Sequence, residues 1–82
     1  MYLHIGGQIV VPLKDLIAVI NIEKMFKNNR HFFDLAKLNK KLVKICSQDD
    51  AKTCVITDKK IYVSSISTYT ITKRIENYQK YD

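Results

Sequence analysis

The stretch from Lys52 to Arg74, KTCVITDKKIYVSSISTYTITKR, carries a strand, a tight turn, a second strand and a helix start in close succession. Lys52 to Thr57 and Lys60 to Ser64 are rich in β-branched and aromatic residues. Asp58-Lys59 separates them, the spacing of a two-residue hairpin, although Asp-Lys enters the positive-φ turn geometry less readily than Asp-Gly. Ser67 or Thr68 suits a helix N-cap. Beyond it Ile71, Ile75 and Tyr78 recur at i, i+4 and i+7, so a final helix presents an apolar stripe with Lys73, Arg74 and Glu76 elsewhere around it.

Toward the N-terminus, Tyr2 to Ile5 is a short β-prone run, and Gly6-Gly7 is a turn signal strong enough to reverse the chain. Gln8 to Val11 reads as the returning strand, which Pro12, lacking an amide hydrogen, ends or confines to an edge. Leu16 to Ile22 (LIAVINI) is the most apolar segment. Its short, nearly continuous character predicts a central strand, buried on both faces or buried on one and covered by a partner subunit. From about Arg30 to Lys41 the period becomes helical, with Phe32, Leu35 and Ala36 on one face and Lys37, Lys40 and Lys41 mostly outside. Leu42 to Cys46 reads as a strand, and Ser47 to Ala51 as a polar loop. The expected fold is α+β: one small domain over residues 1–82, a mostly antiparallel sheet of about five or six short strands, and two helices.

The 82 residues carry 14 Lys and Arg against eight Asp and Glu, a net charge of +6. Residues 22–44 hold six lysines and one arginine against Glu23 and Asp34, so the middle segment is the main electropositive element. Such a charge favours anionic partners, nucleic acid first, although lysine-rich helices are also common as merely solvated faces. The opening MYLHIGG lacks the basic-then-apolar pattern of a secretory signal, and no apolar run approaches the roughly 20 residues of a membrane span. A soluble cytoplasmic protein is expected. Cys46 and Cys54 fit neither a C-x-x-C pair nor a zinc motif, and read as two reduced thiols in apolar strand positions.

No catalytic constellation emerges. His4 and His31 stand apart from each other and from metal-ligand spacings, Asp49-Asp50 are adjacent in a loop, and Gly6-Gly7 lacks the rest of a phosphate loop. The residues predict no enzyme, no metal, no cofactor, no membrane contact and no small-molecule substrate. Phe32 and Phe33 sit on the apolar helix face, Tyr62 alternates within a strand, and Tyr69, Tyr78 and Tyr81 belong to the C-terminal helix and tail, so no stacking motif for RNA emerges. The chemically useful groups are exposed cations: Lys14 before the apolar strand, Lys52 before the hairpin, Lys59 and Lys60 at its tip, Lys73 and Arg74 early in the last helix. Each is suited to phosphate contact with double-stranded DNA. A small domain with few such contacts binds weakly, so self-association that repeats the patch along a duplex is expected.

The opening YLHIGGQIVVPLKDLIAVINIE and the closing AKTCVITDKKIYVSSISTYTITKR resemble the RemB (YaaB-type) branch of the extracellular matrix regulatory protein family, which includes RemA. The specific pieces are Y-x-H-I-G, then V-I-T-D-K-K-I-Y followed by S-x-I-S and K-R. The resemblance implies a small bacterial regulator of biofilm matrix genes that self-associates. In the RemA branch it implies a ring-forming, DNA-binding activator of transcription, with basic residues before the central strand and in the loop before the hairpin tied to DNA contact. Here those places hold Lys14 and Lys52. The loop itself reads Gln48-Asp49-Asp50-Ala51, acidic where the RemA-like pattern is arginine-rich, and like charge facing phosphate opposes binding. The alternative is a non-catalytic interaction or scaffold module of the same fold without direct DNA contact.

Overall fold

The computed structural model describes residues 1–23, 34, 38–39 and 41–79. In chain order they form β1 (Tyr2–Gly6), β2 (Ile9–Pro12), a 3-10 turn (Leu13–Asp15), β3 (Leu16–Asn21), β4 (Leu42–Lys44), a second 3-10 turn (Gln48–Asp50), β5 (Thr53–Thr57), β6 (Ile61–Ser64) and α1 (Thr68–Gln79). The α+β class and the six short strands agree with the sequence reading. The helix expected over residues 30–41 lies outside the described residues, which contain one complete α-helix, at the C-terminus.

The strands divide into two sheets rather than the single sheet expected: a β1–β2 hairpin, and four strands in the order β3-β5-β6-β4. Pro12 and the turn after it explain the break. Pro12 cannot donate to a ladder. Leu13 N–H instead donates to Met1 O at 3.0 Å, and the chain turns through 13–15 before β3 begins. Gly6 has φ +125° and Gly7 φ +56°, backbone that favours glycine. A Cβ at Gly6 would lie 3.2 Å from both Ile45 Cγ2 and Ser64 Oγ, so the missing side chain also lets β1 approach the larger sheet.

The apolar segment from Leu16 is an edge strand, not the central one. β5 pairs antiparallel with both β3 and β6, and β6 also pairs in parallel with β4. The centre therefore belongs to the β5–β6 hairpin. The continuous hydrophobicity of β3 has another cause: alternate residues feed two different cores. Leu16 and Val19 pack on the cluster of Leu3, Ile5, Val11, Val55 and Ile71, while Ile20 and Ile22 belong with Ala51, Cys54 and Val63. A strand can thus be apolar on both faces and still lie at the edge. Its register shifts between Leu16 and Ala18, and Ile17 at that irregularity is 66% exposed. A bulge on an edge strand hinders further pairing.

The first core forms where β1–β2 and α1 cover one face of the four-stranded sheet. Ile71 is fully buried, with Ile75 and Tyr78 packed beside it, the stripe that the i, i+4, i+7 spacing predicts. Ser67 is the cap: its Oγ accepts from Thr70 N–H at 3.1 Å. Thr68 has a different partner, Thr53 Oγ1 at 2.9 Å, and Thr53 Oγ1 also donates to Ile66 O at 2.7 Å. These bonds fasten the start of α1 to β5. The hairpin β1–β2 is held by the buried Ser64, whose hydroxyl donates to Ile5 O at 2.6 Å and accepts from Ile66 N–H at 3.0 Å.

Ser64→Ala removes both bonds in a site with no access to water. It is expected to destabilise the fold by about 1–3 kcal/mol. Urea denaturation should show a lower midpoint at an unchanged slope, whereas a midpoint like the wild type's would mean that the hairpin docks without this bond.

Candidate nucleic-acid interface

The six cations singled out in the sequence fall into three places. Lys14 is exposed in the 3-10 turn that Pro12 starts, and Leu16 N–H closes that turn on Leu13 O. Lys59 and Lys60 are exposed at the tip of the β5–β6 hairpin. Asp58 N–H donates to Asp15 O at 3.1 Å and joins these two turns at one end of the four-stranded sheet. Lys14, Lys59 and Lys60 therefore share one pole, with Asp15 and Asp58 in the same turns. Among the described residues none of the three lysines forms an ion pair.

The turn at 58–59 solves the problem posed by Asp-Lys through a side chain. Thr57 N–H donates to Lys60 O at 2.9 Å, as a hairpin requires. The Thr57 hydroxyl then grips Lys60 twice, accepting from its N–H at 3.0 Å and donating to its carbonyl at 2.9 Å. Thr57 is itself buried. By local pattern Thr57 is only the last residue of a strand. The available signal was a β-branched hydroxyl residue immediately before a two-residue turn that lacks glycine.

Lys52 stands at the other end of β5, roughly 17 Å along the strand by its five-residue length. Its backbone is tied on both sides, N–H to Ser64 O at 2.9 Å and C=O from Ile22 N–H at 3.0 Å. Its side chain is exposed beside an open groove lined by Glu23, Asp49, Asp50, Ala51, Lys52 and Ser65. Three carboxylates against one ammonium make the lining of this groove acidic. The acidic loop noted in the sequence thus gains a third member, Glu23, which no local pattern connects to it. Ser47 Oγ donates to Asp50 Oδ2 at 3.0 Å and steadies the loop.

The helix cations have partners of their own. Arg74 is half-buried, and its Nη1 donates to His4 O at 2.8 Å, fastening α1 to β1. Lys73 Nζ lies 3.3 Å from Glu76 Oε2 and 5.6 Å from the centre of the Tyr69 ring. Both charges of that pair are more than half exposed, so water screens it strongly.

Cys46 and Cys54 are free thiols. Burial pushes Cys54 up to about 11. Cys46 is raised as well, first by burial and then by the carboxylate of Asp50, and its Sγ lies 3.9 Å from Val63 O. Raised thiols are poor nucleophiles at neutral pH. Among the described residues no group of three His, Cys, Asp or Glu side chains is placed to hold a metal ion, and no helix is long and apolar enough to cross a membrane.

Residues 2–75 match the RemA-like family, described as extracellular matrix regulatory protein A-like. The chain belongs to that family. The match spans every described strand and most of α1, so the fold and both charged poles lie within it. Membership implies a regulatory role in the expression of matrix genes. No curated protein matches the chain.

The thiol at the centre of the second core makes a testable statement about pH. Cys54 holds its proton in the folded state up to about 11, against an ordinary value of 9.0. Between those values unfolding releases a proton, so stability falls as pH rises. The stability advantage of the wild type over Cys54→Ala is expected to shrink steadily from pH 9 to 11 in urea titrations. A constant difference would show that Cys54 titrates normally.

Proposed function

We infer that this RemA-like protein is a self-associating cytoplasmic regulator that grips the phosphates of double-stranded DNA with the Lys14, Lys59 and Lys60 pole. The observation that carries this reading is the Asp58 N–H to Asp15 O bond, which brings lysines from two distant parts of the chain to one exposed surface. Lysine ammonium groups suit phosphate as point charges without base readout. Lys52, Lys73 and Arg74 contribute less in this reading: the first faces carboxylates, and the other two already have partners. The Y-x-H-I-G and V-I-T-D-K-K-I-Y pieces support a RemB-type reading within the family. Control of biofilm matrix genes follows from that kinship.

Three phosphate contacts per copy correspond to a salt slope of about 2.7, too few for tight binding by one domain. Repetition of the pole around a closed oligomer supplies avidity without new chemistry. The acidic groove at the opposite pole supports a second reading, an interaction or scaffold module of the same fold, because carboxylates there repel a duplex and attract a cationic protein surface.

Light scattering should give a mass of several chains, and the same sample should bind a mixed-sequence duplex with an affinity that falls steeply with salt. Lys14→Glu/Lys60→Glu should abolish that binding while changing stability by less than about 0.5 kcal/mol, as is usual for exposed positions. Lys52→Glu should have the smaller effect. A well-folded wild-type oligomer that ignores DNA, yet retains a protein partner in nuclease-treated lysate, would favour the second reading.

A further inference from the structure

We propose that Thr57 is the positioning residue of the basic pole, holding Lys59 and Lys60 in place through its hydroxyl. The inference rests on the DNA-binding reading above and concerns how the same site is organised.

The argument begins with the turn chemistry. Tight two-residue hairpins prefer Asn-Gly or Asp-Gly because their central residues adopt positive φ. Asp58-Lys59 keeps the favoured aspartate but lacks the glycine, and at this tip a side chain supplies additional bonds. Of the two backbone bonds that normally frame such a turn, Thr57 N–H to Lys60 O is present at 2.9 Å. The opposite donor, Lys60 N–H, goes to Thr57 Oγ1 at 3.0 Å, and the hydroxyl returns a bond to Lys60 O at 2.9 Å. One side chain therefore holds both polar groups of the Lys60 backbone. It sits directly before Asp58, whose N–H docks the tip on the turn that carries Lys14.

The consequence for binding is entropic. Fixing a residue's backbone costs conformational entropy. A tip already ordered by Thr57 and latched to Asp15 offers three lysines without that further loss on binding, whereas a loosened tip presents a solitary Lys14. The hydroxyl acts at a distance from any phosphate, through the backbone that carries the two lysines.

Thr57→Val keeps size and β-branching and deletes the hydroxyl; Thr57→Ser keeps the hydroxyl and deletes the methyl. The full-length wild type and both variants would be titrated with one mixed-sequence duplex over a range of salt, with amide exchange at Lys60 followed in the absence of DNA. The expected result for Thr57→Val is faster Lys60 exchange and a salt slope lower by about 0.9–1.8 per copy, one or two phosphate contacts. Thr57→Ser should behave like the wild type in both measurements. A wild-type slope in Thr57→Val, or a loss in Thr57→Ser as large as in Thr57→Val, would overturn the role of Thr57 while leaving DNA binding intact. Failure of the wild type itself to bind would overturn the DNA-binding reading and this role with it. Where the valine variant folds poorly, Thr57→Ala serves as the arm without a hydroxyl and is read in the same way.

Discussion

The larger sheet is built outward from the β5–β6 hairpin, whose turn is closed by the backbone bond from Thr57 to Lys60 and by the Thr57 hydroxyl. The Thr57 hydroxyl bonds both polar groups of the Lys60 backbone across the turn, and the two strands so joined occupy the centre of the larger sheet. β3 is added on one side and β4 on the other. Ser64, at the end of β6, carries the β1–β2 hairpin, and Thr53, at the start of β5, carries the beginning of α1. These polar side chains are buried yet satisfied; among the described residues no buried side-chain oxygen or nitrogen lacks a partner. Hydroxyl-to-carbonyl links hold layers that share no ladder, an economical solution in a chain too short for a large core.

The same hairpin separates two surface clusters among the described residues. Its turn lies at the end of the sheet where Lys14, Lys59 and Lys60 meet, and its open end lies beside Glu23, Asp49 and Asp50. An antiparallel pair of strands keeps these poles apart by the length of β5. The two positions that family resemblance ties to DNA contact, Lys14 and Lys52, fall on opposite poles and meet opposite surroundings. Only the first joins other cations.

Local patterns made much of the architecture legible. Period-2 runs bounded by glycine, proline and the Asp58-Lys59 turn located the strands to within a residue or two, and the Ile71, Ile75, Tyr78 stripe located α1 and its buried face. These features depend on neighbours in sequence, so they survive without knowledge of the fold. The position of β3 was not legible in the same way. Hydrophobicity reports how much of a strand is buried, and β3 contacts two cores from the edge as effectively as a central strand would. Strand order depends on which partners win the ladder, and no single strand records that competition. The division into two sheets escaped a local reading for a related reason, since Ser64 and Gly6 act on residues far away in the chain.

The candidate surface divides along the same line. Sequence alone determined the cations, their exposure in turns and the acidic character of the loop at Asp49-Asp50, because charge and turn propensity are properties of the residues themselves. Tertiary structure alone decided which cations act together. It joined Lys14 to Lys59 and Lys60 through a backbone bond between Asp58 and Asp15, gave Arg74 to the His4 carbonyl, and placed Lys52 among carboxylates. The physical reason is that a binding patch is a set of distances, and distances between remote residues exist only once the strands have paired.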